Sequence, residues 1–272
     1  SSHPSGSKTT SKSGCCVMSE LNIDLHPAQL QIFHSEKRFK IVAAGRRFGK
    51  SYLSAWLLLI KGIQSESKDV FYVAPTFQQA KDIMWAMLKD LGRDLIAQAH
   101  ENTAVLTLIN GRKIYLKGSD RPETLRGVGL SYVVLDEYAS MKPVVWEQII
   151  RPTLADVRGE AFFIGTPAGK NHFYDLYRDA LDDDDWDAFQ FNSTDNPFLP
   201  PEEIEASRKT MSSMSFRQEF EASFETGSGG IFKEEWFKTE EEPVDGSYVI
   251  AIDPAGFEAI EQERNLKRSR LD

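Results

Sequence analysis

Two groups of residues in this chain have the types and spacing that phosphate chemistry requires. The first is a loop ending in Gly49-Lys50-Ser51, between the apolar run 39–44 and the helix-like run 52–63. A strand that turns into a helix through such a loop points backbone N–H groups and the positive helix end at one place, where a polyphosphate can bind. The pattern predicts a phosphate-binding loop with nucleotide contacts at Gly45, Arg46, Arg47, Phe48, Gly49, Lys50 and Ser51.

Two side chains in this loop have specific expected roles. Lys50 should reach the β- and γ-phosphates, and the hydroxyl of Ser51 should hold Mg²⁺. The spacing departs from the usual eight-residue pattern because Ala44 occupies the first glycine position. A plain strand–turn–helix corner is therefore the alternative interpretation of the loop.

The second group is an acidic pair, Asp136-Glu137, that follows the apolar run 132–135. A continuous apolar strand is typical of a parallel sheet buried on both faces, and open α/β sheets bind ligands at the carboxyl ends of their strands. We expect Asp136 to hold Mg²⁺ and Glu137 to activate the attacking water. The alternative, a helix cap after a strand, uses the same residue types.

Three further residues complete the predicted site. Arg46 in the loop and Arg126 in a glycine-flanked segment can each supply the guanidinium that neutralises γ-phosphate charge, Arg46 within one subunit and Arg126 across a subunit boundary. Their alternatives are a loop-bracing ion pair and a DNA phosphate contact. Thr166, after the apolar run 160–164, can sense the γ-phosphate and pass on its loss; a plain turn is the alternative.

The elements that must position these residues alternate between strand and helix. The runs 69–75 and 78–91 predict a second strand and helix, so the order indicates a parallel sheet with right-handed crossovers. Asn110-Gly111 predicts an antiparallel hairpin between 103–109 and 112–117. Pro27 opens a short helix in which Gln29 presents a donor and an acceptor, the pair that an adenine edge requires.

Composition places the 272-residue chain among ordinary globular proteins, with 41% hydrophobic and 27% charged residues. No apolar run is long enough for a membrane helix, and the polar N-terminus does not resemble a secretory signal. The two cysteines, Cys15 and Cys16, are adjacent, and neighbouring residues rarely form a bridge. We therefore expect a cytoplasmic protein without disulfides.

Charge is distributed unevenly along the chain. Residues 1–181 carry 23 Lys/Arg and 18 Asp/Glu, whereas residues 182–263 carry 5 and 22. The overall charge of −9 therefore leaves room for a locally basic, DNA-facing surface, although it provides no positive indication of one.

As an ordered set, these motifs resemble the large terminase subunit of tailed bacteriophages, the motor that packages DNA into procapsids. The resemblance covers roughly residues 25–256 and rests on the following segments: 45–51, Leu125-Arg126-Gly127, Leu135-Asp136-Glu137, Ile164-Gly165-Thr166-Pro167, Asp195-Asn196-Pro197-Phe198, Phe216-Arg217-Gln218-Glu219-Phe220 and a glycine-rich joint at 227–230 followed by Ile231-Phe232.

The resemblance implies a role for each matching residue. Gln29 matches the family's adenine-reading glutamine, Asp136 and Glu137 its second acidic motif, and Thr166 its coupling residue. Arg46 matches the arginine proposed to act in cis, and Arg126 the one proposed to act in trans.

The resemblance also implies a domain order. It indicates a RecA-like ATPase core with a mainly parallel sheet at 18–181 and a helical lid and linker at 182–228. Residues 1–17, which are rich in Ser, Lys, Gly and Thr and have no periodicity, are expected from composition to form a disordered tail. Residues 229–272 would begin an RNase H-like nuclease domain, with Asp253 as its first metal ligand. Since two-metal cleavage needs further carboxylates, we expect no DNA cleavage by this chain, and nuclease activity with its divalent metal only in the full-length protein.

The implied function is ATP hydrolysis, with Mg²⁺, that drives double-stranded DNA into a procapsid in the host cytoplasm. The implied partners are the portal protein, the small terminase subunit and further copies of the chain in a ring, expected to be a pentamer; no membrane is involved. Helices predicted at 202–214 and 215–224 would form a lid that moves with nucleotide. The alternatives are a helicase-like DNA-dependent ATPase, for which too little chain follows residue 181, and a non-catalytic DNA-binding scaffold.

Overall fold

The carboxyl ends of three neighbouring strands bring the predicted motifs to one edge of an eight-stranded sheet. The computed structural model describes residues 23–225 of the chain. The strands are β1 (Phe39–Ala44), β2 (Asp69–Ala74), β3 (Ile96–His100), β4 (Val105–Leu108), β5 (Lys113–Gly118), β6 (Leu130–Asp136), β7 (Glu160–Gly165) and β8 (Trp186–Phe191).

Helices connect these strands and cover both faces of the sheet. They are α1 (Pro27–His34), α2 (Lys50–Gln64), α3 (Phe77–Leu91), the short α4 (Arg151–Thr153), α5 (His172–Ala180), α6 (Pro201–Thr210) and α7 (Ser213–Phe220). A π-helical segment, Val145–Ile150, leads into α4.

The strand order is β3-β4-β5-β2-β6-β7-β1-β8. The pairs from β5 through β2, β6, β7 and β1 to β8 are parallel, as the alternation of strand and helix predicts. The Asn110-Gly111 hairpin is also confirmed, because β4 and β5 pair in antiparallel fashion. Strand β3 adds an antiparallel edge that sequence analysis did not predict.

The register of β6, β7 and β1 determines where the motifs meet. Asp136 pairs with Ile164 across β6 and β7, and Gly165 pairs with Ala43 across β7 and β1. The phosphate-loop sequence, the acidic pair and Thr166 therefore leave the sheet from adjacent strands. In an open α/β sheet this edge is the usual place for a ligand.

Apolar side chains form a core on each side of the sheet. Helix α2 buries its apolar residues against one face, with fully buried Leu53, Leu58 and Leu59. The opposite face packs Phe163 of β7 among three aromatic rings, those of Tyr138, Trp146 and Trp186, with ring centres 4.7–5.4 Å apart.

Strand β8 corrects the predicted boundary between core and lid. Sequence analysis placed 182–228 in the lid and linker, but β8 pairs with β1 along its whole length and so belongs to the sheet. The acidic run 182–185, of a kind usually found in solvated segments, lies immediately before β8 and gives no indication of a strand. Most residues of β8 are only partly buried, because β8 lies at the edge of the sheet. An edge strand has a weaker apolar pattern than a central strand.

Both helices predicted for the lid are present but shorter than predicted. Helix α6 ends at Thr210 rather than Met214, and α7 runs from Ser213 to Phe220 rather than over 215–224. The cause is local, because the Ser212 hydroxyl accepts a hydrogen bond from the N–H of Ser215 and so caps a new helix.

Two sets of expectations lie outside the described residues. They are the disordered tail at 1–17 and the start of a nuclease domain, with Asp253 as a metal ligand. Within residues 23–225, no helix combines the length and apolar character needed to cross a membrane.

Phe163→Ala should lower the free energy of unfolding by about 3–5 kcal/mol, because it leaves a cavity inside the aromatic cluster. Urea unfolding followed by circular dichroism measures the loss. Leu181→Ala is the matched control, since Leu181 is 57% exposed and its truncation should change stability by less than about 0.5 kcal/mol. Equal effects of the two substitutions would contradict this account of the core.

Candidate nucleotide-binding site

The loop between β1 and α2 turns sharply through two residues in the left-handed region. Arg47 has φ 62° and Gly49 has φ 96°, and Gly49 is the N-cap of α2. The positive φ favours glycine at this position, and a β-carbon there would also displace the Gln29 amide, whose Nε2 would lie 2.5 Å away. The N-terminus of a fifteen-residue helix thus faces the sheet edge, as an anion site requires.

Side chains from the segment after β8 donate hydrogen bonds to the backbone carbonyl groups of this loop. The Ser193 hydroxyl donates to the carbonyl of Arg46 at 2.6 Å, and Nδ2 of Asn196 donates to the carbonyl of Arg47 at 2.7 Å. Sequence analysis assigned no role to either residue. Asn196 lies in the motif 195–198, which could have pointed to a role for it. No sequence pattern around Ser193 indicates its contact with the loop.

Helix α1 holds the other end of the loop. Nε2 of Gln29 donates to the carbonyl of Gly49 at 3.0 Å, and Oε1 accepts from the N–H of His26 at 3.2 Å. Nε2 of His26 contacts the carbonyl of Phe48 at 2.9 Å. Gln29 is buried and its amide is bonded to backbone, so its adenine-reading role stays a prediction while its contact with the loop is observed.

Phe48 anchors the loop in the core. Its ring is fully buried and stacks on Phe191 with ring centres 5.1 Å apart. Only its backbone is therefore placed to contact a nucleotide. This local packing accounts for an aromatic residue within a glycine-containing phosphate loop.

Lys50 and Thr166 meet at the sheet edge. The Lys50 ammonium donates to the carbonyls of Ala44 and Gly45 at 2.9 and 3.0 Å and to Oγ1 of Thr166 at 3.0 Å. Burial lowers the pKa of Lys50, while the charges of Glu137 and Asp136 act in the opposite direction. The predicted convergence of the lysine with the acidic pair is thus observed.

Glu137 faces the same point from β6. Its Oε2 accepts a hydrogen bond from the backbone N–H of Thr166 at 3.3 Å, so the two motifs are directly connected. Glu137 has φ 52°, an uncommon value for a residue with a side chain. Such backbone strain often occurs where a side chain must be aimed for function.

Asp136 lies behind Glu137 and is almost fully buried. One carboxylate oxygen accepts from the Tyr72 hydroxyl, and the other accepts from the N–H of Glu137 at 3.0 Å. Burial raises the pKa of Asp136 to about 6, against the hydrogen bond from Tyr72, which lowers it. Sequence analysis did not identify Tyr72 as a site residue, because its position in the apolar strand β2 indicates only a core residue.

The residues predicted to hold Mg²⁺ fit that ion chemically. Ser51, in the first turn of α2, and Asp136 supply hard oxygen donors, and a cation would offset the cost of burying the Asp136 carboxylate. Residues 23–225 contain no cluster of three or more His, Cys, Asp or Glu suited to a metal.

The two candidate arginines differ in position. Arg46 pairs with Glu219 of α7, with Nε and Oε2 2.5 Å apart, and this hydrogen bond and charge raise its pKa. The loop-bracing ion pair considered from sequence is therefore observed. Arg126 follows the turn Pro122–Leu125 and is exposed, and its side chain has no hydrogen-bond or ion-pair partner in the described part of the chain.

A cleft of about 540 Å³ opens at this edge. It is lined by Arg46, Arg47, Lys50, Glu137, Ala139, Ser140, Thr166, Pro167, Ala168, Gln218 and Glu219. Arg126 is not among the lining residues, so the structure does not bring it to the site of its own chain. A second pocket of about 300 Å³ lies on the other side of the loop and includes Gln29, Tyr52 and Phe198.

Comparison with known proteins agrees with the geometry. The family model for the N-terminal part of T4-like large terminase subunits matches residues 41–239. The large terminase subunit of Escherichia phage T5 is 31% identical over 203 residues, which cover 72% of this chain and 46% of that protein. The chain spans about half the length of the curated relatives it matches.

Solved structures show the same fold. The large terminase ATPase domain of Thermus phage P74-26 is 27% identical with a TM-score of 0.65, and the match covers 75% of this chain and 95% of that domain. The large terminase of bacteriophage HK97, at 14% identity and a TM-score of 0.61, is matched over 72% of this chain and 50% of that one and supports the fold alone. The RecA-like α/β fold is confirmed, and the chain belongs to the family of phage large terminase subunits.

Proposed function

We propose that this chain binds and hydrolyses ATP as the motor part of a large terminase, which moves double-stranded DNA into a procapsid. The observation that carries the proposal is the hydrogen-bonded series from Lys50 through Thr166 to Glu137 at the carboxyl edge of the sheet. It joins a phosphate-binding cation to a candidate water-activating carboxylate. The description of the P74-26 relative as an ATPase domain supports the same activity.

The loop and Lys50 would bind the phosphates. Lys50, the first residue of α2, lines the cleft, and its ammonium could exchange its carbonyl partners for phosphate oxygens beside the positive end of the helix. This exchange needs only a side-chain rotation, since the loop backbone is already held by Ser193, Asn196 and Gln29. Preorganisation of this kind lowers the cost of binding.

Glu137 would orient the attacking water and accept its proton. The water oxygen forms a bond to the γ-phosphorus, the bond from that phosphorus to the β–γ bridging oxygen breaks, and ADP leaves with inorganic phosphate. The N–H of Thr166 fixes the carboxylate from one side and leaves its other oxygen available for water. Arg46 would neutralise charge on the γ-phosphate oxygens from within the chain.

Asp136 and Ser51 would hold Mg²⁺. The ion, when bound, offsets the negative charge of the phosphates. Asp136 is buried behind Glu137 and hydrogen-bonded to Tyr72, so its carboxylate is fixed in direction. This arrangement suits a contact made through a water molecule as well as a direct one.

The pocket beside the loop would receive the adenine base. Its lining includes the aromatic rings of Tyr52 and Phe198 together with the polar groups of Gln29, Asp24 and Asn196. Flat apolar rings with a few polar groups are typical of sites for planar ligands. Because the Gln29 amide already contacts Gly49, base reading by Gln29 would require it to rotate.

The assembly in which this chain would act is proposed from its family. It comprises a ring of chains, expected to be a pentamer, acting with the portal protein and small terminase subunit on double-stranded DNA in the host cytoplasm. In that ring, the exposed Arg126 would reach the nucleotide of a neighbouring subunit. Nuclease activity, with Asp253 and further metal ligands, is proposed only for the full-length protein.

Glu137→Gln should lower the rate of ATP hydrolysis by about 10²–10⁴-fold, because glutamine cannot accept the proton of the attacking water. The amide oxygen can still accept from the N–H of Thr166, so the ATP dissociation constant should change by less than about threefold. Phosphate release assays with and without double-stranded DNA, and nucleotide titrations, measure the two quantities.

The matched control is Glu36→Gln, which removes an exposed carboxylate outside the cleft and should leave hydrolysis unchanged. Normal hydrolysis by Glu137→Gln would remove Glu137 from the mechanism. Absence of hydrolysis by the unaltered chain under all DNA conditions would favour the non-catalytic scaffold.

The concentration dependence of hydrolysis distinguishes the two arginines. If Arg126 acts in trans, the rate per subunit should rise with protein concentration, and Arg126→Ala should lose most of that rise. Adding Glu137→Gln chains, which retain Arg126, should partly restore the rate of Arg126→Ala. A rate per subunit that is independent of concentration in both proteins would rule out the trans role.

A further inference from the structure

The backbone that presents Glu137 turns sharply at the end of β6. Glu137 has φ 52° and precedes the turn Tyr138–Ser140, in which the N–H of Ser140 donates to the carbonyl of Glu137 at 2.9 Å. A residue with a side chain keeps such a left-handed conformation only when the surrounding contacts fix it. The direction of the Glu137 side chain therefore depends on the groups that hold this turn.

His172, the first residue of α5, holds the turn by its imidazole ring. Its Nε2 lies 3.0 Å from the carbonyl oxygen of Tyr138, the residue after Glu137. A carbonyl oxygen only accepts, so Nε2 carries the hydrogen and donates it. The same carbonyl accepts from the N–H of Met141 at 3.0 Å, so both of its lone pairs are used.

Asn171, the N-cap of α5, contacts the next carbonyl of the turn. Its Nδ2 donates to the carbonyl of Ala139 at 3.4 Å, while its Oδ1 accepts from the N–H of Phe173 at 3.0 Å. A helix cap needs only the acceptor of this side chain. The donor of Asn171 and the donor of His172 are thus both used on consecutive carbonyls of the turn.

Close packing restricts the same turn. The ring of Tyr138 is buried and meets the rings of His172 and Phe163 edge to face, each with ring centres 5.0 Å apart. A β-carbon at Gly165 would lie 3.4 Å from Cα of Glu137. The turn therefore lies directly against the end of β7, and its other side is held by α5.

The two residues act on the cleft without lining it. Glu137, Ala139 and Ser140 line the cleft, whereas Asn171 and His172 do not. Neither side chain is therefore placed to contact a bound nucleotide. Their hydrogen bonds end on the backbone of the turn, so any effect on the reaction has to pass through the residues of that turn.

We propose that His172, assisted by Asn171, is a positioning residue that aims the Glu137 carboxylate at the attacking water. The bonds to the carbonyls of Tyr138 and Ala139 keep Glu137 in its left-handed conformation, with its Oε2 on the N–H of Thr166. The inference rests on the proposed function and adds to it the residues that set the direction of the water-activating group.

Two substitutions of His172 separate the hydrogen bond from the ring. His172→Phe keeps an aromatic ring beside Tyr138 and removes the donor, whereas His172→Gln removes the ring and keeps an amide donor that can take the place of Nε2. His172→Phe should lower kcat for ATP by about 10-fold to 30-fold, because a small displacement of a catalytic group is costly. His172→Gln should stay within about threefold of the unaltered chain, since its amide can donate to the same carbonyl.

Nucleotide binding should respond differently from turnover. Because neither residue lines the cleft, the dissociation constants of ATPγS and ADP should change by less than about twofold in every variant. Asn171→Asp keeps the cap acceptor and loses the donor, and its kcat should fall by about threefold to fivefold because the lost contact is longer. The matched control is His100→Phe, which replaces an exposed histidine of β3 outside the cleft and should change neither quantity.

Two further measurements show whether the effect passes through Glu137. In the Glu137→Gln background, His172→Phe should lower the remaining rate by less than about twofold, because the carboxylate that it aims is absent. Hydrogen exchange of the amides of residues 136–141, measured without nucleotide, should be faster in His172→Phe by about threefold or more and unchanged in His172→Gln.

Several results would overturn the inference. They are normal turnover by His172→Phe, equal losses of turnover in His172→Phe and His172→Gln, or a full further loss in the Glu137→Gln background. A weakening of ATPγS binding as large as the loss of kcat would also contradict it. Loss of the thermal transition in both His172 variants would assign a purely structural role and overturn it as well.

Failure of the proposed function would look different. An unaltered chain that hydrolyses no ATP under any DNA condition would contradict the proposed function and with it this inference. An unaltered chain that hydrolyses ATP, and does so equally well as His172→Phe, would contradict the role of His172 alone.

Discussion

The Lys50 ammonium is the charge on which the site depends. It is partly buried, and an ammonium in such a place is stabilised when acceptors replace the hydration that it loses. The acceptors come from two strands, the carbonyls of Ala44 and Gly45 after β1 and the Thr166 hydroxyl after β7. Glu137 from β6 then balances the charge. The adjacency of β6, β7 and β1 is therefore a condition for the site, since another strand order would take Thr166 and Glu137 away from the lysine.

The loop that presents Lys50 is fixed by parts of the chain far away in sequence. Helix α1, the segment after β8 and α7 each donate to or accept from its backbone, through Gln29, Ser193 and Glu219. Left-handed residues such as Arg47 cost free energy, and these contacts offset that cost. The same contacts leave the loop carbonyls occupied and direct the start of α2 toward the cleft. Elements that look peripheral in the fold thus determine the shape of the phosphate site.

Much of the fold and the centre of the site could be predicted from sequence, because the signals are local. Apolar runs ending at Ala44, Leu135 and Ile164 indicate buried strands, and the residues that follow each strand must share one sheet edge. Tyr72 and Ser193 could not be found in this way: each looks like a routine residue until the chain folds and brings it to Asp136 or Arg46. Strand β8 was missed because an edge strand needs only a weak apolar pattern. Local sequence patterns indicate where helices and strands lie and where they end. Contacts between residues 64 or 147 positions apart in the chain depend instead on how those helices and strands pack.

Because the principal cations of the cleft already have partners within the chain, the proposed binding of a triphosphate would be an exchange rather than a simple gain. Lys50 would give up carbonyls of its own loop. Those carbonyls belong to a loop that contacts from Gln29, Ser193 and Asn196 keep in place. The exchange at Lys50 would therefore support binding, because the loop keeps its other contacts when the lysine changes partners.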